Sequence, residues 1–193
     1  MRLRVVLGAF LLFGAITAGG QTATGIHLVD VRFDGDTHLK GVELKKCAAD
    51  LRSREYEGTG WLASLAERVR DFLQESGYFK ALVTPSAEQL PDKHLTHQFI
   101  ARFHIEAGEQ YRIGDIAFEN NHVFSTRELR SMFNVASGDI FRPAKLRQGI
   151  ARMRDAYIAG GYPNFTPVPD TNIDDSRNVI NVAIYVDEGR HSP

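Results

Sequence analysis

Gly77-Tyr78-Phe79-Lys80-Ala81-Leu82-Val83-Thr84-Pro85 follows an amphipathic run that begins at Trp61. About 84 residues later, Gly161-Tyr162-Pro163-Asn164-Phe165-Thr166-Pro167-Val168-Pro169 follows another, which begins near Pro143. A helix that stops at a glycine-aromatic pair and turns into a short strand is a modest signal once. Seen twice, it marks a duplicated module.

The run before the first copy places Leu62, Leu65, Ala66, Val69, Phe72 and Leu73 on one helical face, with Glu67, Arg68, Arg70 and Asp71 opposite. Its counterpart carries Leu146, Gly149, Ile150, Met153 and Tyr157, with Pro143 suited to the first turn. A glycine costs about 1 kcal/mol against alanine inside a helix, so a close approach of the backbone to a sheet is expected at Gly149. Gly77 and Gly160-Gly161 are placed to end the two helices in a left-handed cap.

Upstream of each helix the pattern repeats again. Strand one is expected over Ile26–Phe33 and Tyr111–Glu119, with Val31 matching Ile116, Phe33 matching Phe118 and Gly35 matching Asn120. Breaks are expected at Asp34-Gly35-Asp36 and Asn120-Asn121. Glycine and asparagine tolerate φ > 0 best, so a shared tight turn follows. A short helix comes next: Ser125 and Glu128 have the form of a capping box behind the staple residue Phe124. Leu129 and Met132 match Leu44 and Cys47.

Downstream, the strands expected are Ala81–Leu90 and Leu95–Ala107 around a Pro91-Asp92-Lys93 turn, then Phe165–Thr171 and Val179–Asp187 around Asn172 to Asn178. Phe99, Ala101, Phe103 and Ile105 alternate, as do Ile180, Val182, Ile184 and Val186. The order in each copy is βααββ. Each ends on an acidic-glycine turn, at Glu106-Ala107-Gly108-Glu109 and Asp187-Glu188-Gly189, and no flexible linker separates the copies.

Composition is that of an ordinary globular chain: 193 residues, 43% hydrophobic, 24% charged, formal net charge −1. That balance lacks the strongly basic face of a nucleic-acid binder. Arg2 and Arg4, the apolar Val5–Ile16 and the small residues Ala18, Gly19 and Gly20 have the form of a secretory signal over residues 1–20. The apolar run is shorter than the roughly 20 residues of a spanning helix. The single cysteine, Cys47, makes no internal disulfide and is expected to be buried. There is no G-x-S-x-G, P-loop, G-x-G-x-x-G or EF-hand pattern, so no enzyme, cofactor or metal is expected. His94, His97 and His104 tempt a metal reading, but alternation puts His94 and His97 on opposite faces.

The βααββ order, the glycine-tyrosine exit from helix two, the acidic-glycine turn after strand three and the restart Y-R-I-G-D-I-A-F-E-N-N together resemble the POTRA (polypeptide-transport-associated) domain. The match is clearer over Tyr111–Gly189 than over Ile26–Gly108. The resemblance implies an α+β fold of two tandem modules, over residues 25–109 and 110–190, each a three-stranded mixed sheet covered on one face by two helices. It implies an exported, periplasmic scaffold or chaperone-like part near the outer membrane. Its partners would be outer-membrane β-barrel or other envelope proteins and unfolded or extended polypeptides. The 193 residues contain no series of barrel strands, so a partner is expected to supply any transport step. A bitopic inner-membrane scaffold of the division-site kind, with the N-terminal segment kept as an anchor, is the alternative.

In a POTRA-like sheet the last strand is central and strand two is an edge. An exposed edge accepts an extended peptide by β-augmentation. Pro167 and Pro169 remove two donors from one side of the second copy's edge, whereas Pro85 removes one from the first. The expected acceptor is therefore Ala81, Leu82, Val83 and Thr84. A second contact surface is expected on the last helix, where Arg142, Lys145, Arg147, Arg152 and Arg154 would face a membrane surface or an acidic partner.

Overall fold

The computed structural model describes residues 25–93 and 96–192. The segment expected to be an export signal, His94 and Leu95 lie outside these residues. The chain forms β1 (Gly25–Asp36), α1 (Gly41–Arg52), α2 (Trp61–Glu75), β2 (Leu82–Lys93) and β3 (Thr96–Glu106). It then repeats the series as β4 (Arg112–Glu119), α3 (Thr126–Ser131), α4 (Pro143–Ala159), β5 (Thr166–Asp174) and β6 (Val179–Asp187). The two three-stranded sheets have the orders β1-β3-β2 and β4-β6-β5. In each the last strand is central, parallel to the first and antiparallel to the second.

One face of each sheet carries the helices. In the first module Leu51, Leu65, Val69 and Leu73 close over Ala101, Phe103 and Ile105, all buried. In the second, Leu129, Met153 and Tyr157 close over Ile180, Val182 and Ile184. Burying one such aliphatic side chain contributes about 2 kcal/mol. Phe72 and Leu62 are only partly buried at the margin of the first core. Cys47 is buried, and that burial pushes its thiol up to about 11, so it packs as a hydrophobe.

The glycine-aromatic pairs terminate their helices identically. Tyr78 N–H donates to Leu73 O and Gly77 N–H to Gln74 O; Tyr162 donates to Tyr157 O and Gly161 to Ile158 O. These paired bonds are the Schellman motif, which needs a left-handed residue. Gly77 and Gly161 supply it, at φ 93° and 86°. The capping box is also present: Glu128 N–H donates to Ser125 Oγ and Ser125 N–H to the Glu128 carboxylate.

Several boundaries differ from the sequence reading. Strand β1 runs on through Asp36, because Gly35 pairs with Ile105 while adopting φ 84°. A Cβ there would meet the Ile105 carbonyl, so glycine lets the strand continue rather than end. In the second module the break at Asn120 (φ 63°) is where the pattern puts it. The β2–β3 hairpin is longer than expected. Pro91, Asp92 and Lys93 belong to β2, whose register shifts after Leu90 so that Lys93 faces Thr96. Asn172 and Ile173 likewise remain in β5, opposite Asn181 and Ile180. At Gly149 the close neighbour is the Phe133 ring, not the sheet backbone; a Cβ would lie 2.2 Å from Cδ1.

Candidate peptide-accepting edge and the module junction

Strand β2 is an edge, and Pro85 sets which of its amides face outward. Pro85 sits opposite Phe103 and has no N–H to give. Antiparallel pairs alternate between bonded and non-bonded, so Leu82, Thr84 and Ser86 pair inward with β3. Val83, Ala87 and Gln89 present their amides to the open side. The same parity in β5 puts Pro167, Pro169, Thr171 and Ile173 on the open side, where the first two have no donor.

Ala81 does not belong to this row. It precedes β2, is buried, and its N–H donates to Tyr78 O in the turn that leaves α2. Phe165 makes the equivalent bond to Tyr162 O. Leu82 and Thr84 contribute side chains on the exposed face, with Leu82 61% exposed. The outward row extends toward Ala87 and Gln89, beyond the segment expected from the repeat.

The remaining edges are partly occupied. Along β4, Ile113 N–H donates to Asp139 O, Gly138 N–H to Ile113 O and Phe141 N–H to Tyr111 O, so the 138–141 loop lies on its first half. On β1, Ile26 N–H donates to Tyr56 O, and Val31 N–H is taken by its neighbour's Asp30 Oδ1. Strand β2 is interrupted by Pro85 and, near its far end where the register shifts, by Pro91.

The lead stretch also joins the modules. Gly77 O accepts Tyr111 N–H at 2.8 Å, and Gln110 Nε2 donates to Ser76 O. Phe79 leaves its own module and packs on the second core, edge-on to Phe141 at 5.6 Å and to Tyr111 at 6.5 Å. Beside it, Lys80 Nζ binds both Asp175 oxygens at 2.6 and 2.7 Å, and the Tyr111 hydroxyl donates to Asp175 Oδ1. The Lys80 ammonium, then the Tyr111 phenol, hold the Asp175 carboxyl below its ordinary value. On the other flank, the Glu75 carboxylate accepts the Ala144 N–H in the first turn of α4 and pairs with Arg147 at 2.6 Å.

In the sequence reading Glu75, Phe79, Lys80 and Asp175 have no role in joining the modules. A signal existed, because the second copy has Ala159, Pro163 and Asn164 where the first has Glu75, Phe79 and Lys80. Repeats that agree at cap and core positions and differ at these three show where a one-time contact is made.

The five basic residues of the last helix do not form one face. Arg147 is paired with Glu75, and Arg152 Nε donates to Met132 O. Arg142 and Lys145 sit together at the start of α4, and Arg154 is exposed further along. The histidines are also separate: His97 contacts Asp92 and His104 contacts Asp34.

With this architecture in place, comparison with known proteins is specific. Residues 111–189 match the POTRA family model, described as "Surface antigen variable number repeat". The second module is a POTRA domain. Over 126 residues, 64% of this chain, the sequence is 27% identical to a protein of Treponema pallidum (strain Nichols) named as an outer membrane protein assembly factor. The chain spans only 15% of that relative's length. Among solved structures, POTRA domains 3–5 of Haemophilus influenzae BamA superpose with a TM-score of 0.64 at 18% identity, over 92% of this chain and 71% of that one. BamA of Haemophilus ducreyi lacking POTRA domains 1–3 superposes with a TM-score of 0.58 at 16% identity, over 83% and 29%. The tandem arrangement, and not only the second module, therefore has the POTRA fold.

Proposed function

We propose that this chain is a periplasmic scaffold of the outer-membrane protein assembly kind, and that its first POTRA-fold module holds extended polypeptide by β-augmentation along β2. The observation that carries the reading is the contrast between the two equivalent edges. Strand β2 offers outward amides at Val83, Ala87 and Gln89, whereas Pro167 and Pro169 remove the corresponding first donors of β5. Added strands are held chiefly by main-chain hydrogen bonds, so missing donors weaken capture whatever the side chains are. The export pattern of residues 1–20 and the name of the Treponema relative support the envelope setting. Its partners are then envelope proteins and chains in transit, and its role is positioning rather than catalysis.

Photocrosslinkers placed at Thr84 and Ser86 test this with an extended substrate peptide. Val83→Pro abolishes crosslinking on this reading. Because Val83 is also buried, Ala87→Pro serves as the companion: Ala87 is exposed, and its replacement removes an outward donor without touching the core. Unchanged crosslinking in both variants would sink the idea. Pro167→Val with Pro169→Val should confer crosslinking on β5.

A further inference from the structure

We infer that Arg112, Arg142 and Lys145 form an anion pocket that seats the phosphate headgroup of an acidic membrane lipid, independently of the β2 edge. The three side chains line one open surface pocket of about 330 Å³, together with Asn134, Val135, Asp139 and Ile140. That is within the size of small-molecule sites. The fold creates it by laying the 138–141 loop on the edge of β4, which brings the first residue of β4 beside the first turn of α4.

Three cations outnumber the one carboxylate in this pocket, which leaves its charge positive. Arg112 Nη1 donates to Gly138 O, a neutral carbonyl. Behind it, Arg130 donates to Phe133 O and Val135 O. Among the described residues Arg142 and Lys145 have no ion pair. The one carboxylate lining the pocket, Asp139, accepts the Ala136 N–H. Carbonyl partners orient a guanidinium without cancelling its charge. The pocket therefore attracts an anion through several cations lining one site, which is how a phosphate group is held.

A lipid fits better than an acidic peptide. The cations line a single concave site together with the apolar Val135 and Ile140, rather than lying along a strand edge. Each cation near an anionic surface contributes about a fivefold gain in partitioning.

The test is co-sedimentation of the full 193-residue chain with vesicles of phosphatidylglycerol and phosphatidylcholine, against vesicles of phosphatidylcholine alone. The ratio of the two removes any binding through apolar segments. A preference for the anionic vesicles that falls with added NaCl is expected. The preference should drop about twenty-five-fold in R142Q/K145Q, while R154Q, on the same helix but outside the pocket, changes it by less than about twofold. A salt-independent ratio near one for the unaltered chain overturns the proposal without reference to any variant, as does an equal loss in R154Q. Binding of inorganic phosphate or polyglutamate that requires Arg142 and Lys145, with no preference for anionic vesicles, also overturns it in favour of those ligands.

Discussion

Gly149 is a helical glycine whose reason lies in one ring. Phe133 occupies the space of its missing side chain, with Cδ1, Cε1 and Cγ all within 2.7 Å of where a Cβ would stand. Gly149→Ala should therefore destabilise the second module by about 1–3 kcal/mol despite alanine's better helix propensity. Combining it with Phe133→Leu should recover part of the loss, both read from urea unfolding. Glu188 is a second such residue. Its carboxylate accepts N–H bonds from His122 and Val123 at 2.8 Å and the Tyr157 hydroxyl at 2.9 Å. Burial alone would raise its pKa, but the Val123 and His122 amides and the phenol outweigh that and lower it. A group depressed in the folded state stabilises above its unfolded value of about 4.3 and loses that contribution as pH falls through the folded value. Glu188→Gln should thus cost about 1 kcal/mol at neutral pH and flatten the acid limb of stability measured from pH 6 to 3. An unchanged acid limb would show that these bonds do not distinguish the ionised form.

Among the elements, α4 has an unusual start. Arg142 at its N-cap makes no side-chain cap bond, and Pro143 has no amide to satisfy. The cap comes instead from Glu75, at the end of α2 in the other module. Glu75→Ala should speed hydrogen exchange at Ala144 and the next amides, consistent with losing about 1 kcal/mol of capping, while α2 itself exchanges as before. Local caps were readable: the Ser125 box and both Schellman ends follow from residues within a few positions of one another. The Glu75 cap was not, since no sequence pattern links residues 69 positions apart. The strand ends were misplaced at Gly35, Pro91 and Asn172 for a related reason. Turn-forming residues signal local freedom to bend, but pairing with β3 or β6 decided whether the strand continued.

Taken as a molecule, the protein is two cores fastened at one corner. Phe79 enters the second core between two polar clasps, Glu75 with the start of α4 and Lys80 with Asp175 and Tyr111. The modules should therefore unfold together, as one calorimetric transition. Phe79→Ala should split it into two and widen the interdomain distance distribution between spin labels on β2 and β6. A single transition retained in that variant would mean the backbone bond from Tyr111 to Gly77 suffices. The position equivalent to Tyr111 in the second copy is Ser192, whose N–H donates to Gly161 O at 2.7 Å. The backbone latch is thus repeated while the aromatic plug is not.

Periodicity and local chemistry determined the duplication, the βααββ order, the two core faces and the glycine ends of the helices. Each of these depends on residues close in the chain, where spacing maps directly onto a face or a cap. The Gly77–Pro85 stretch itself showed where a helix passes the chain to an edge strand. Only the tertiary structure decided that Ala81 is spent in the turn, that Phe79 and Lys80 lock one module to the next, and that Arg142 and Lys145 part from Arg147 and Arg152 to join Arg112. Those outcomes depend on which distant surfaces meet. Sequence spacing carries no record of them, because packing between elements is set by the whole core at once.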